Sequence, residues 1–213
     1  EIGKIIDFAL QQRCVRGVTF QPIQAAGRLE GFEPNQNRYT LTEVRRAILE
    51  QTNHFKPQDI LPVPCHPDSL AMAYALKVQG KVIPLTGLFD TPTFVDMVPN
   101  SVLYEQHPEL KQQIFDLFST SHSPSSAATS LKQLLCCLPL LPVPTGLTYE
   151  NIFRIMIVQF MDAYNFDVRS VKRSCIHIVH PDGRIIPFDT YNLFYREGSA
   201  GQEMVTALHQ TSP

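Results

Sequence analysis

Val15-Arg16-Gly17-Val18-Thr19-Phe20 runs without a break into Gln21-Pro22-Ile23-Gln24-Ala25-Ala26-Gly27-Arg28. The first six residues carry the β-branched and aromatic side chains of a strand, and the next eight hold two amides, a guanidinium and a proline. A strand that ends in clustered polar groups marks a ligand end. In parallel α/β architectures the loops at the carboxyl ends of the strands carry the chemistry, while packing is handled below them. The other reading is a buried strand followed by an ordinary loop whose amides only cap the turn.

Outward from this stretch the hydrophobic period changes. Before it, Ile2, Ile5, Ile6, Ala9 and Leu10 fall on one face of an amphipathic helix. After it, Thr40-Leu41-Thr42-Glu43 has the form of a capping box and introduces Val44, Ala47, Ile48 and Leu49 at helical spacing. The prolines in Ile60-Leu61-Pro62-Val63-Pro64 predict an extended segment that delivers Cys65-His66-Pro67-Asp68 to the start of another helix, carrying Leu70, Met72, Ala73, Tyr74 and Leu76. Lys81-Val82-Ile83-Pro84-Leu85 reads as a short strand and Leu103 to Phe118 as mainly helical. The polar run Ser119 to Ser126 and the proline-rich run Leu138 to Pro144 bracket a sub-domain boundary. From Thr148 a strongly apolar helix is expected through Ile152, Phe153, Ile155, Met156, Phe160 and Met161, ending near Asp162 to Asn165. Cys175 to Val179 and Arg184 to Phe188 then form a hairpin around Asp182-Gly183, a step that favours the positive φ of a tight turn.

A chain of 213 residues, 44% apolar and 18% charged, has ordinary globular composition. The formal charge of −2 gives no basic field of the kind that holds phosphate backbones, so nucleic acid is not an expected partner. No run reaches the roughly 18 apolar residues of a membrane span. Five cysteines without the spacing of a secreted disulfide scaffold point to a reducing cytoplasm. The amphipathic opening is unlike a signal peptide, and the chain is expected to begin partway through a larger protein.

Three segments, Val15 to Gln24, Leu61 to Asp68 and Pro181 to Leu193, occur in the order found in a radical S-adenosylmethionine (radical SAM) family and resemble its C-terminal part. The family's best-known members resemble the tetraether lipid synthases and pterin methyltransferases of archaea. The similarity runs from about Ile2 to Arg196. It implies an α/β fold: the C-terminal part of a partial (βα)6 radical SAM barrel plus a smaller α+β extension with a β-hairpin. Residues 1–120 would supply late barrel strands and helices, and residues 121–213 a helical and hairpin cap. The resemblance further implies that the full-length enzyme binds S-adenosylmethionine and a 4Fe–4S cluster for radical C–H activation, methyl transfer or C–C bond formation on a small-molecule or lipid substrate. The chain lacks Cys-x-x-x-Cys-x-x-Cys, the loop that holds such a cluster, so the expected partner is an N-terminal half bearing it. This portion alone would be inactive and hold no cofactor. A non-catalytic scaffold or binding module is the alternative, and a hydrolase using Cys65, His66 or Asp68 is a third.

By the same resemblance, the strand at Val18 is one that lines the adenosyl site. Thr19, Gln21, Gln24 and Arg28 are then the cofactor-binding candidates, since amides both donate and accept while a guanidinium matches a carboxylate. Cys65 and Cys175 are the metal candidates by residue type, Cys65 beside His66 and Cys175 on a strand face with His177. Either thiol serves equally well as a small buried side chain. Adjacent Cys136 and Cys137 read as core packing, and Asp189, Tyr191 and Asn192 as a polar cluster that either stabilises a turn or covers a substrate.

Overall fold

The computed structural model describes residues 1–26, 31–63, 66–88, 148–174 and 176–196. Helix α1 (Ile2–Gln11) leads to strand β1 (Gly17–Phe20), the single-turn helix α2 (Pro34–Asn37) and helix α3 (Leu41–Gln51). Strands β2 (Leu61–Pro62), β3 (Leu70–Val78), β4 (Lys81–Pro84) and β5 (Ile152–Val158) follow in sequence. Beyond them lie the short helix α4 (Val168–Val171), the strands β6 (His177–Val179) and β7 (Ile185–Pro187), and α5 (Phe188–Thr190), which widens into a π-type turn over Tyr191–Tyr195.

The first five strands make one mixed sheet in the order β1-β5-β3-β2, with β4 also paired to β3. Only β1 and β5 run parallel among the described strands, with Val18 opposite Ile155; β3 is antiparallel to β5, β2 and β4. The hairpin β6–β7 is a separate two-stranded sheet in which Val179 faces Ile185.

Register fixes which side chains share a face. Ala71, Ala73 and Ala75 of β3 and Phe153, Ile155 and Ile157 of β5 form one buried cluster with Ile6 and Ala9 of α1 and Val44 and Ile48 of α3. Val18 and Phe20 pack against the same cluster. Each large side chain buried there contributes about 1.5–3 kcal/mol relative to leaving it in water. The intervening residues of β3, namely Met72, Tyr74 and Leu76, are buried as well, so this strand is enclosed on both faces.

Two glycines set the distances between elements. A Cβ on Gly17 would collide with the carbonyl oxygen of Arg154, its partner on β5, and one on Gly3 would collide with the carbonyl oxygen of Gln51 at the end of α3. The capping box at Thr40 forms as expected: Thr40 Oγ1 accepts from Glu43 N–H (3.3 Å) and Glu43 Oε2 accepts from Thr40 N–H (2.7 Å). Those bonds hold the Glu43 carboxyl below the usual carboxylate range.

The mixed α/β class, the opening helix, the strand through Val18, the strand at Lys81 and the hairpin across Asp182-Gly183 match the sequence reading. Two expected helices do not. Residues 70–78 and 152–158 are strands, the two central ones of the sheet. A strand covered on both faces shows a nearly continuous apolar run, and such a run satisfies helical spacing as readily as it satisfies alternation. Asp68 consequently caps no helix; it sits in a turn that leads into β3. The segment Leu103 to Phe118, the linker and proline runs that framed the sub-domain boundary, and Cys136 and Cys137 lie outside the described residues. Among the described residues no helix is long and apolar enough to cross a membrane.

Candidate functional site

Because β1 and β5 are parallel, Phe20 and Val158 release the chain at the same end of the sheet. Antiparallel β3 enters there too, with Leu70 opposite Val158. Three loops therefore meet at one end: Gln21 to Ala26, Gln159 to Asp167 and His66 to Ser69.

Asp162 holds the first two together. Its buried carboxylate accepts from Ala25 N–H (3.3 Å) and Tyr164 N–H (2.9 Å), and it pairs with the Arg38 guanidinium at 3.3 Å. Ala163 N–H donates to Ala25 O (3.4 Å), and Asp162 N–H donates to Asn165 Oδ1 (2.6 Å), closing a tight turn. Leaving such a carboxylate unpaired would be expensive, so these bonds fix the loop that follows β1. Gln159 ties the others: its N–H donates to Ser69 O (2.8 Å) and its side-chain oxygen accepts from Leu41 N–H (2.5 Å).

Asp189, placed just after β7 by α5, reaches back beneath the same loop. It is 5% exposed, and its Oδ1 accepts from Met161 N–H at 2.7 Å. Burial pushes its carboxyl above the ordinary range, against the opposing pull of the Met161 N–H and of His66. His66 is equally enclosed, and its Nδ1 has no hydrogen-bond partner among the described residues. Its main chain builds the turn into β3, the carbonyl accepting from Ser69 N–H (3.2 Å) and Leu70 N–H (3.0 Å).

The second and third of these loops, with α4, border a cavity of about 430 Å³ between Asp68 and Ser69 at the entry to β3, Met161 and Asn165 after β5, and Asp167 and Ser170 around α4. That volume falls within the range of small-molecule sites. Two arginines stand at its margin: Arg169 pairs with Asp167 at 3.4 Å, and Arg173 lies 4.0 Å from Asp68.

Of the residues singled out from sequence, Thr19 and Gln21 are exposed on and just beyond β1, at the end where the loops meet. Gln24 is half-buried in the loop held by Asp162, and its Nε2 is enclosed without a hydrogen-bond partner. Arg28, Cys65 and Cys175 lie outside the described residues. Asp189 and Asn192 of the C-terminal polar cluster are buried; Asn192 accepts from Arg196 (3.3 Å). Sequence reasoning missed Asp162, Asn165 and Ser170. The pattern Asp162-x-x-Asn165 after an apolar run is a turn signature, but it was absorbed into the end of an expected helix.

Among the described residues no three His, Cys, Asp or Glu side chains converge on a metal position, and the described cysteine, Cys14, is an exposed thiol. The described residues therefore do not fit an iron–sulfur cluster.

No family model matches the chain. It is 28% identical, over 234 aligned positions, to the 7,8-dihydro-6-hydroxymethylpterin dimethyltransferase of Methanocaldococcus jannaschii, an alignment that takes in 92% of this chain and 46% of that protein. The chain thus spans about half the length of the curated relative it matches, and at this identity the two are distantly related.

Proposed function

We propose that this chain is the C-terminal part of a radical SAM methyltransferase that modifies a pterin-type small molecule, with β1 among the late strands of a partial barrel. The observation that carries the reading is a likeness to a pterin dimethyltransferase along 92% of the chain. The meeting of three polar loops at the carboxyl ends of the two parallel strands, two of them bordering a 430 Å³ cavity, supports it. S-adenosylmethionine, when bound, would supply a 5′-deoxyadenosyl group on one-electron reductive cleavage, leaving methionine, and a second molecule would supply the methyl group from its sulfonium sulfur, leaving S-adenosylhomocysteine. Gln24, whose enclosed amide donor has no partner among the described residues, and Gln21 and Thr19 at the same end of the sheet would hold that cofactor, with Arg28 further along the sequence. Asp162 keeps the loop in place through Ala25, and Asp189 does the same for Met161 at the cavity wall. The chain's own task in this reading is positioning and exclusion of water.

The test is anaerobic incubation of the full-length protein with S-adenosylmethionine, a reductant and 6-hydroxymethyl-7,8-dihydropterin, followed by mass spectrometry. A methylated pterin and 5′-deoxyadenosine are expected. The absence of both, in protein shown to carry iron and sulfide, overturns the proposal. Iron quantitation in a Cys65→Ala variant settles whether that thiol is a ligand: unchanged iron removes it from the set.

A further inference from the structure

Resting on the pterin reading, we infer that Asp68 and Asn165 form the subsite that recognises the aminopyrimidinone edge of the heterocycle, with Met161 as the surface under the ring. A 2-amino-4-oxo ring presents two adjacent donors, the exocyclic amino group and N3–H, followed by one acceptor, the 4-oxo oxygen. Its complement is a carboxylate next to a donor.

Two carboxylates border the cavity, and they differ in what already occupies them. Asp167 caps α4: Oδ1 accepts from Arg169 N–H (2.7 Å) and Oδ2 faces the Arg169 guanidinium (3.4 Å). Asp68 is far less engaged. Its Oδ2 has Ser170 Oγ at 3.5 Å and Arg173 at 4.0 Å, both at the outer limit of contact, and no other partner among the described residues. Its main chain lies in the turn closed by His66. Two oxygens with their lone pairs open can take a pair of parallel N–H donors, the strongest neutral-to-ionic arrangement available.

Asn165 supplies the other half. Its side-chain oxygen is committed to Asp162 N–H at 2.6 Å, which fixes the amide's orientation and leaves its NH₂ group as a donor. Donor and carboxylate border the same cavity, and Met161, on the loop that carries Asn165, lines it too. The ionic pair at Asp68 is long and screened, so Arg173 competes weakly for the carboxylate.

The experiment is fluorescence titration of the full-length protein with 6-hydroxymethylpterin and with 6-hydroxymethyllumazine, which carries an oxo group in place of the 2-amino group. Wild-type protein should bind the pterin more tightly. Asp68→Asn replaces one acceptor by a donor and should weaken the pterin by about 10-fold or more, while leaving the lumazine as tight or tighter. Asn165→Asp, which sets a carboxylate against the 4-oxo oxygen, should weaken both ligands. Equal pterin affinity in wild type and Asp68→Asn overturns this assignment and leaves the proposed function standing. So does a parallel loss of both ligands in Asp68→Asn, which marks a structural role. Failure of the wild-type protein to bind either ligand overturns the assignment together with the reading on which it rests.

Discussion

The five-stranded sheet and the β6–β7 hairpin are built from equally apolar residues and end in opposite states. In the sheet, Ile155, Ile157, Ala73 and Met72 have essentially no contact with water, whereas in the hairpin the cross-strand pair Val179 and Ile185 is 74% and 69% exposed. A strand's composition therefore says little about its contribution to stability. What differs is the cover: helices α1 and α3 lie on the sheet, and the outer face of this hairpin pair has no such layer. An isolated two-stranded pair is marginal in water, so the hairpin depends on its attachments. Asp189, which leaves β7 and accepts from Met161 N–H in the loop after β5, is one of them, and Phe188 against Phe160 (ring centroids 4.7 Å apart) is another.

Substitutions at three positions would break or sharpen this contrast. Ile155→Ala, at the centre of the covered sheet, is expected to cost about 2–5 kcal/mol in chemical denaturation, the range for truncating a fully enclosed aliphatic side chain. A loss below 1 kcal/mol would place the stabilising core elsewhere.

At the joint, Asp189→Ala strands the buried Met161 N–H and is expected to cost about 1–3 kcal/mol. Asp189→Asn keeps an acceptor for that N–H while removing the charge. The native carboxyl titrates above the ordinary value of 3.8, so the folded state holds this proton more tightly than the unfolded chain does. The stability that proton confers is present below the ordinary carboxylate range and fades as pH rises through the shifted value. Asp189→Asn should accordingly gain on the wild type between pH 4 and pH 7, as read from denaturation midpoints at both values; a gap that does not change with pH would sink the argument. At the bare face, Val179→Thr should fall within about 0.5 kcal/mol of wild type, the usual effect of an exposed substitution, and a larger loss would reveal a cover over the hairpin.

The same contrast explains what was legible in the chain. Val15 to Phe20 and the hairpin announced themselves, because each is short and bounded by strong punctuation, Gln21-Pro22 in one case and Asp182-Gly183 in the other. Thr40 and Glu43 gave the start of α3 to the residue. The two central strands were hidden by their own burial. Leu70-Ala71-Met72-Ala73-Tyr74-Ala75-Leu76 is composed of good helix formers, and only the fold's need to bury both faces overrides that preference. Ile152-Phe153-Arg154-Ile155-Met156-Ile157-Val158 did carry a usable signal, five β-branched or aromatic residues in seven, and weighing it against spacing would have identified β5. The candidate site shared that fate. Gln21 and Gln24 were visible because they follow an obvious strand, whereas Asp162 and Asn165 acquire meaning only once β5 is known to run beside β1.

That adjacency bears on how the molecule is assembled. The carboxylate of Asp162 and the amide it receives from Ala25 are 137 positions apart, and β1 has no ladder partner but β5 among the described strands. A nascent chain emerging from the ribosome cannot form the β1–β5 ladder until residues 152–158 have been synthesised. The entropic cost of so large a closure grows only logarithmically with length, but the search for such distant partners is slow. Local helices and the β3–β4 hairpin can form early, while the ligand end is completed last, so a product terminated before β5 would keep a partial core and, of the pocket rim, only Asp68 and Ser69.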